Sequence, residues 1–182
     1  MKTILLLLAT TFFYVSSHAQ IYIGKTCEVS FFSDGPIEDI AATSKSAQVI
    51  LNSAKNEIAI KVTIKGFDFE KKLMQEHFNE KYMESDKYPY ATFTGKINDT
   101  IDYMKEGVYK VTVGGKLNLH GVEKERTIQG TLTIKGEEIT IDSKFMVALK
   151  EHNIEIPTLV AQNIAEIVEV TIKLILTEFK TK

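Results

Sequence analysis

The stretch Glu57-Ile58-Ala59-Ile60-Lys61-Val62-Thr63-Ile64-Lys65 alternates without a break. Ile58, Ile60, Val62 and Ile64 point one way, and Ala59, Lys61, Thr63 and Lys65 the other. Successive side chains of a strand face opposite sides of its sheet, so this period of two describes a strand with one face buried. Its buried face is wholly β-branched, which suits a pleated surface packed on one side.

The same period recurs on either side. Upstream, Lys25 to Phe32 places Cys27, Val29 and Phe31 on one face, and Ser44 to Leu51 does the same with Ala47, Val49 and Leu51. Downstream, Tyr90 to Ile97 turns Ala91, Phe93 and Ile97 one way. Val108 to Leu119 is long and carries Gly114-Gly115, a pair that predicts a sharp bend or a bulge. Thr127 to Lys135 directs Ile128, Leu132 and Ile134 inward, and Ile139 to Leu149 directs Ile139, Ile141, Phe145, Val147 and Leu149. Glu166 to Phe179 completes the set with Val168, Val170, Ile172, Leu174 and Leu176.

The reading is therefore mostly β, with eight strands. Asn52 to Asn56, Glu106-Gly107 and Gly136 are short connections, and short connections join antiparallel neighbours. Eight antiparallel strands close into a barrel whose interior is either filled by side chains or just wide enough for one small ligand. Closure also removes exposed edges.

One stretch breaks the pattern. Glu70 to Met83 has no proline or glycine and is rich in Lys, Glu, Leu and Met, so it is predicted as one helical insertion, with Asp68 as its N-cap. Met74, Phe78 and Tyr82 recur every four residues along it. That stripe packs the helix on the barrel, covers the barrel mouth as a lid, or does both. Tyr88-Pro89 ends the insertion. Pro157 excludes a central strand at Glu151 to Asn163, which reads as a loop across the barrel end.

The first residues have another purpose. Lys2 precedes an apolar run from Ile4 to Val15, and Ser17-His18-Ala19 sets small residues at a cleavage point. Residues 1–19 are predicted as a secretory signal peptide and 20–182 as one barrel domain, periplasmic or secreted. The apolar run is too short for a bilayer of ~30 Å, and no later run reaches ~18 apolar residues, so no stable membrane insertion is expected. Losing Lys2 takes the net charge from −2 to about −3, which argues against a nucleic-acid partner. Cys27 is the only cysteine, so no internal disulfide forms, and its place in a strand makes it a buried small hydrophobe.

Catalysis finds little footing. There is no G-x-S-x-G turn, no H-E-x-x-H, no Walker loop and no Gly-rich dinucleotide turn. His77, His120 and His152 stand at no metal-ligand spacing, so neither metal nor cofactor is expected. His120 ends a strand in Leu117-Asn118-Leu119-His120-Gly121-Val122. It either bonds loop backbone or contacts a ligand headgroup at the barrel mouth. The inward rows mix small residues (Ala47, Ala91, Gly95, Gly115) with large ones (Phe31, Phe93, Phe145), which fits a lined cavity and a packed core equally well.

Three separated stretches resemble the YceI-like family. Gly115-Lys116-Leu117-Asn118-Leu119-His120-Gly121-Val122-Glu123-Lys124 is similar to its G-x-L-x-L-H-G-V-x-K turn. Tyr88-Pro89-Tyr90-Ala91-Thr92-Phe93-Thr94-Gly95 resembles its Y/F-P-x-A-x-F segment. Leu73-Met74-Gln75-Glu76-His77-Phe78-Asn79-Glu80, with Met83-Glu84-Ser85, looks like the helix before that segment in one branch. The resemblance implies a lipocalin-like barrel holding a polyisoprenoid or similar amphiphile, outside the cytoplasm, and no catalytic set. Phe31-Phe32-Ser33-Asp34-Gly35-Pro36 departs from it, since many members carry a histidine in the first strand and a glycine-rich loop after it.

The leading expectation is an exported binding protein for an isoprenoid, quinone-like or fatty molecule. Phe31, Ile60, Val62, Phe93, Val113, Leu117, Phe145, Val147 and Ile172 are the expected wall, Met74 and Phe78 the lid, and His120 the polar contact. The alternatives are a structural or stress-related interaction protein with a solid core, and an enzyme using His120 with a nearby acid. A homodimer stays open.

Overall fold

The computed structural model describes residues 20–35, 39–156 and 165–180. The predicted signal segment, Pro36 and Pro157 fall outside them. The strands are β1 (Ile21–Ser33), β2 (Ile40–Ser44), β3 (Gln48–Asn52), β4 (Glu57–Thr63), β5 (Phe67–Phe69), β6 (Tyr90–Ile97), β7 (Gly107–Leu119), β8 (Val122–Lys135), β9 (Glu138–Ala148) and β10 (Ile167–Glu178). Their spatial order is β10-β9-β8-β7-β6-β4-β3-β1, with β2 and β5 beyond β1. Antiparallel pairing of β1 with β10 closes the barrel.

Ten segments fill eight positions because two positions are interrupted. β2 and β3 pair with the two halves of β1 in one continuous register, Ser44 opposite Val29 and Ile50 opposite Ile23. The predicted strand from Ser44 to Leu51 is thus broken at 45–47. The cause is local: the Ser44 hydroxyl accepts from the Ser46 N–H and bonds the Ser46 hydroxyl at 2.8 Å, a side-chain alternative to the ladder. Ala47 falls in the break, although it still packs against the core. Beside it, Ile64–Gly66 forms a single 3₁₀ turn between β4 and β5.

The helix is shorter than expected. α1 spans Lys72–His77 and widens into a π turn at Phe78–Tyr82. Asp68 does not cap it, because Asp68 lies inside β5 opposite Thr43. Phe67 and Phe69 on either side are buried, and burying two aromatic rings outweighs one cap. The π turn brings buried Met83 against Ile64 and Ile154.

Gly114-Gly115 does not form a bulge. The β6–β7 register runs through Gly95↔Gly115 and Lys96↔Gly114 unbroken, as does the β7–β8 register. The β1–β10 register does shift, between Gly24 and Thr26.

One end of the barrel is solid. Leu51, Leu132 and Leu176 are fully buried there. Tyr22 and Tyr103 stack across it with ring centroids 6.3 Å apart. Tyr103 donates to Asn56 Oδ1 at 3.0 Å, and burial, with Tyr22 second, pushes its phenol up to about 12. Cys27 is buried, and burial raises its thiol pKa.

Candidate functional site

Toward the other end the inward rows do not meet. They enclose a cavity of about 330 Å³. Its lining mixes small residues, Ala91 and Gly130, with large ones. Ile60 and Val62 on β4 and Phe93 on β6 form one side of the chamber. Val113 and Leu117 on β7 continue it, and Phe145, Val147 and Ile172 on β9 and β10 close the circle. Phe31 lines it from β1. Met74 and Phe78 reach in from the helix, so the stripe both packs the helix and roofs the chamber.

The roof holds an aromatic cluster that the sequence reading found only in part. Phe78 stacks on Phe31 with centroids 5.5 Å apart and planes 19° apart. Phe67 and Phe69 pack on Phe78 at 5.7 and 4.9 Å and on Phe31 at 5.5 and 5.8 Å. Phe67-Asp68-Phe69 carries its own alternation, which was the available signal, but it is too short to stand out between Gly66 and the helix.

His120 is the one predicted site residue that does not line the chamber. With Gly121 it forms the two-residue turn between β7 and β8, and both have positive φ, 52° and 73°. That conformation matches the right-handed twist of the flanking strands. Nδ1 donates to the His152 carbonyl at 3.2 Å, and Nε2 meets the Glu84 carboxylate at 2.9 Å. The Tyr88 ring lies edge-on, 4.5 Å away. Of the two readings of His120, loop bonding is the one its geometry fits. Glu84 follows the helical insertion directly, so this contact ties the roof to the β7–β8 turn.

His152, in the 3₁₀ turn Leu149–His152, is fully buried. Its Nδ1 donates to the Val122 carbonyl at 3.1 Å, while Nε2 has no partner. Burial, then the nearby Arg126 charge, lowers its pKa below the ordinary 6.5, against the opposing pull of the Val122 carbonyl. Folding therefore favours the neutral ring. The unfolded chain takes up a proton near 6.5 that the folded chain refuses, so this stability is present above 6.5 and is lost as pH falls toward the folded value. The expected result is a urea midpoint that drops between about pH 7.5 and pH 5.5, with a smaller drop in His152→Gln. Equal drops in both proteins would show that His152 carries no such linkage.

Among the described residues no three His, Cys, Asp or Glu side chains gather as a metal site, and no helix is long and apolar enough to cross a membrane.

A closed antiparallel barrel with an apolar chamber under a helical roof has the architecture of a small-ligand-holding barrel. The profile of the YceI-like domain matches residues 13–176, and the chain belongs to that family. Its fold is similar to a polyisoprenoid-binding domain from Saccharophagus degradans implicated in plant cell wall breakdown, with TM-score 0.75, 15% identity and coverage of 87% of this chain and 98% of that one. It is also similar to Burkholderia cenocepacia BcnA, with TM-score 0.69, 22% identity and coverage of 82% and 95%. A Campylobacter jejuni YceI protein follows at TM-score 0.58, 18% identity and coverage of 75% and 81%. No curated protein matches the chain in sequence.

Proposed function

We propose that this chain is an exported, non-catalytic protein that holds a polyisoprenoid, quinone-like or fatty molecule in its barrel, for sequestration or transport. The observation that carries the reading is the apolar chamber of about 330 Å³, within the range of small-molecule sites. Each methylene buried there contributes about 0.8 kcal/mol, so a tail of ten or so offsets a typical cost of association. The polyisoprenoid-binding neighbour supports the same class of ligand. The residues before Gln20 carry the signal-like pattern that supports export.

The test is native mass spectrometry of the mature protein from its host's envelope, followed by organic extraction. The expected result is a bound mass of several hundred daltons with isoprenoid or acyl fragments. A mass that stays at the bare protein after incubation with such lipids would favour the solid-core interaction protein instead.

A further inference from the structure

The chamber wall is not hydrogen-bonded all the way round. β8 pairs with β7 along its length, down to Leu119↔Val122, and β9 pairs with β10 up to Ile167↔Ala148. Between β8 and β9 the ladder runs only from Lys135↔Glu138 to Gly130↔Ser143. Beyond that rung, 122–129 of β8 and 144–148 of β9 diverge. The first carbonyl past the rung, that of Gln129, accepts the Ser143 hydroxyl at 2.6 Å instead of a partner strand. The chain terminates its own ladder at this point.

The split lies over the chamber. Ile128 stands on one edge, Phe145 and Val147 on the other, and all three line the cavity. Gln129, Gly130 and Ser143 line it at the vertex, where Gln129 is also exposed to solvent. Phe145, on the β9 edge of the gap, is only partly buried and packs against the core. The far end is crossed by the turn after β9: Arg126 Nη2 donates to Glu151 Oε2 at 2.6 Å, and His152 bonds the Val122 carbonyl.

We infer that the split between β8 and β9 is a side door, through which an apolar ligand passes into and out of the chamber, with Phe145 as its leaf and the Arg126–Glu151 pair as its clasp. This rests on the reading of the barrel as a binding protein. The other routes are harder. The solid end is stacked Tyr22 on Tyr103 over fully buried leucines. The roof is held by four mutually packed phenylalanine rings and by the Glu84–His120 contact. Opening the split breaks no strand ladder. It displaces one ring, one partly exposed ion pair, which contributes little, and the hydrogen bond from His152 to the Val122 carbonyl.

The test pins the split. Thr127→Cys with Met146→Cys places two exposed thiols on opposite edges, to be joined by a short bifunctional reagent that reductant cleaves, while Cys27 stays buried. Uptake and release of a fluorescent polyene fatty acid are followed by stopped flow. The expected result is association and dissociation both slowed about ten-fold, with affinity nearly unchanged and full recovery on reduction. Rates indifferent to that link overturn the door, as does slowing seen only when Glu84→Cys is linked to His120→Cys to pin the roof. Unlinked protein that takes up no probe overturns the binding reading, and the door with it.

Discussion

Phe145→Arg and Val113→Arg are each expected to abolish uptake of an apolar ligand while leaving the barrel folded. Both side chains line the chamber and neither belongs to its solid end. Fully buried packing also lies outside the chamber lining, at Leu51, Leu132 and Leu176. A guanidinium introduced at either position puts a charge where the ligand offers only hydrocarbon. Seating a tail against it strips water from an ion that gains no partner, a cost that exceeds what tail burial returns. At Phe145 the longer side chain reaches solvent along the split between β8 and β9, so the empty protein tolerates it. Affinity is expected to fall by about a hundred-fold or more, since loss of even ~3 kcal/mol has that effect. Fluorescence titration gives the affinity, and near-ultraviolet circular dichroism reports whether the tyrosine stack at the solid end survives. A folded variant that binds as well as the parent would remove this cavity as the ligand site.

The wall was legible because a strand with one buried face writes its geometry into every second residue. Ile58, Ile60, Val62 and Ile64 are all buried, as the alternation required. The same holds for Ile128, Leu132 and Ile134 on β8. What alternation cannot show is where a ladder is abandoned in favour of a side chain. Ser44 and Ser46 look like ordinary strand residues, yet their mutual bond breaks the second barrel position in two. Ser143 looks like a tolerated polar residue in an inward row, yet its hydroxyl ends the β8–β9 ladder. Both effects depend on which carbonyl or hydroxyl a neighbouring segment brings within reach, and that is a tertiary fact. His120 shows the same limit in another form. The residues around it suggested either a turn or a headgroup contact, and only the fold sets Glu84 and the His152 carbonyl against its two ring nitrogens. Whether the interior is open or packed was equally beyond the pattern, because it depends on how inward rows from different strands meet across the axis.

Gly115→Ala is expected to destabilise the barrel by about 2–3 kcal/mol, while Gly114→Ala leaves stability unchanged or slightly raised. The two glycines are neighbours in one strand, and their sequence context gives no reason to separate them. Their faces do. Gly115 shares the inward side with Leu117 and pairs with Gly95, and a Cβ built on it would lie 2.6 Å from Gly95 Cα and 2.8 Å from Phe93 Cζ, and against the Thr94 carbonyl. Two of those three neighbours are backbone in a register fixed on both sides, so they cannot give way without parting β6 from β7. The third is the Phe93 ring, which lines the chamber and is itself buried. Gly114 faces outward, and a Cβ there would meet only the Asn98 side chain, at 3.4 Å from Nδ2 and 3.9 Å from Oδ1. Removing a glycine from a strand interior, where it loses more freedom on folding than alanine, then favours the variant. The pair of glycines is thus a close approach of two strands beneath an aromatic ring, not a bulge, and only one member is needed for it. Urea unfolding of the two single variants side by side measures the difference. Equal midpoints would mean that β6 and β7 can move apart at Gly95 at no cost, and that the Phe93 wall of the chamber is less firmly set than its register implies.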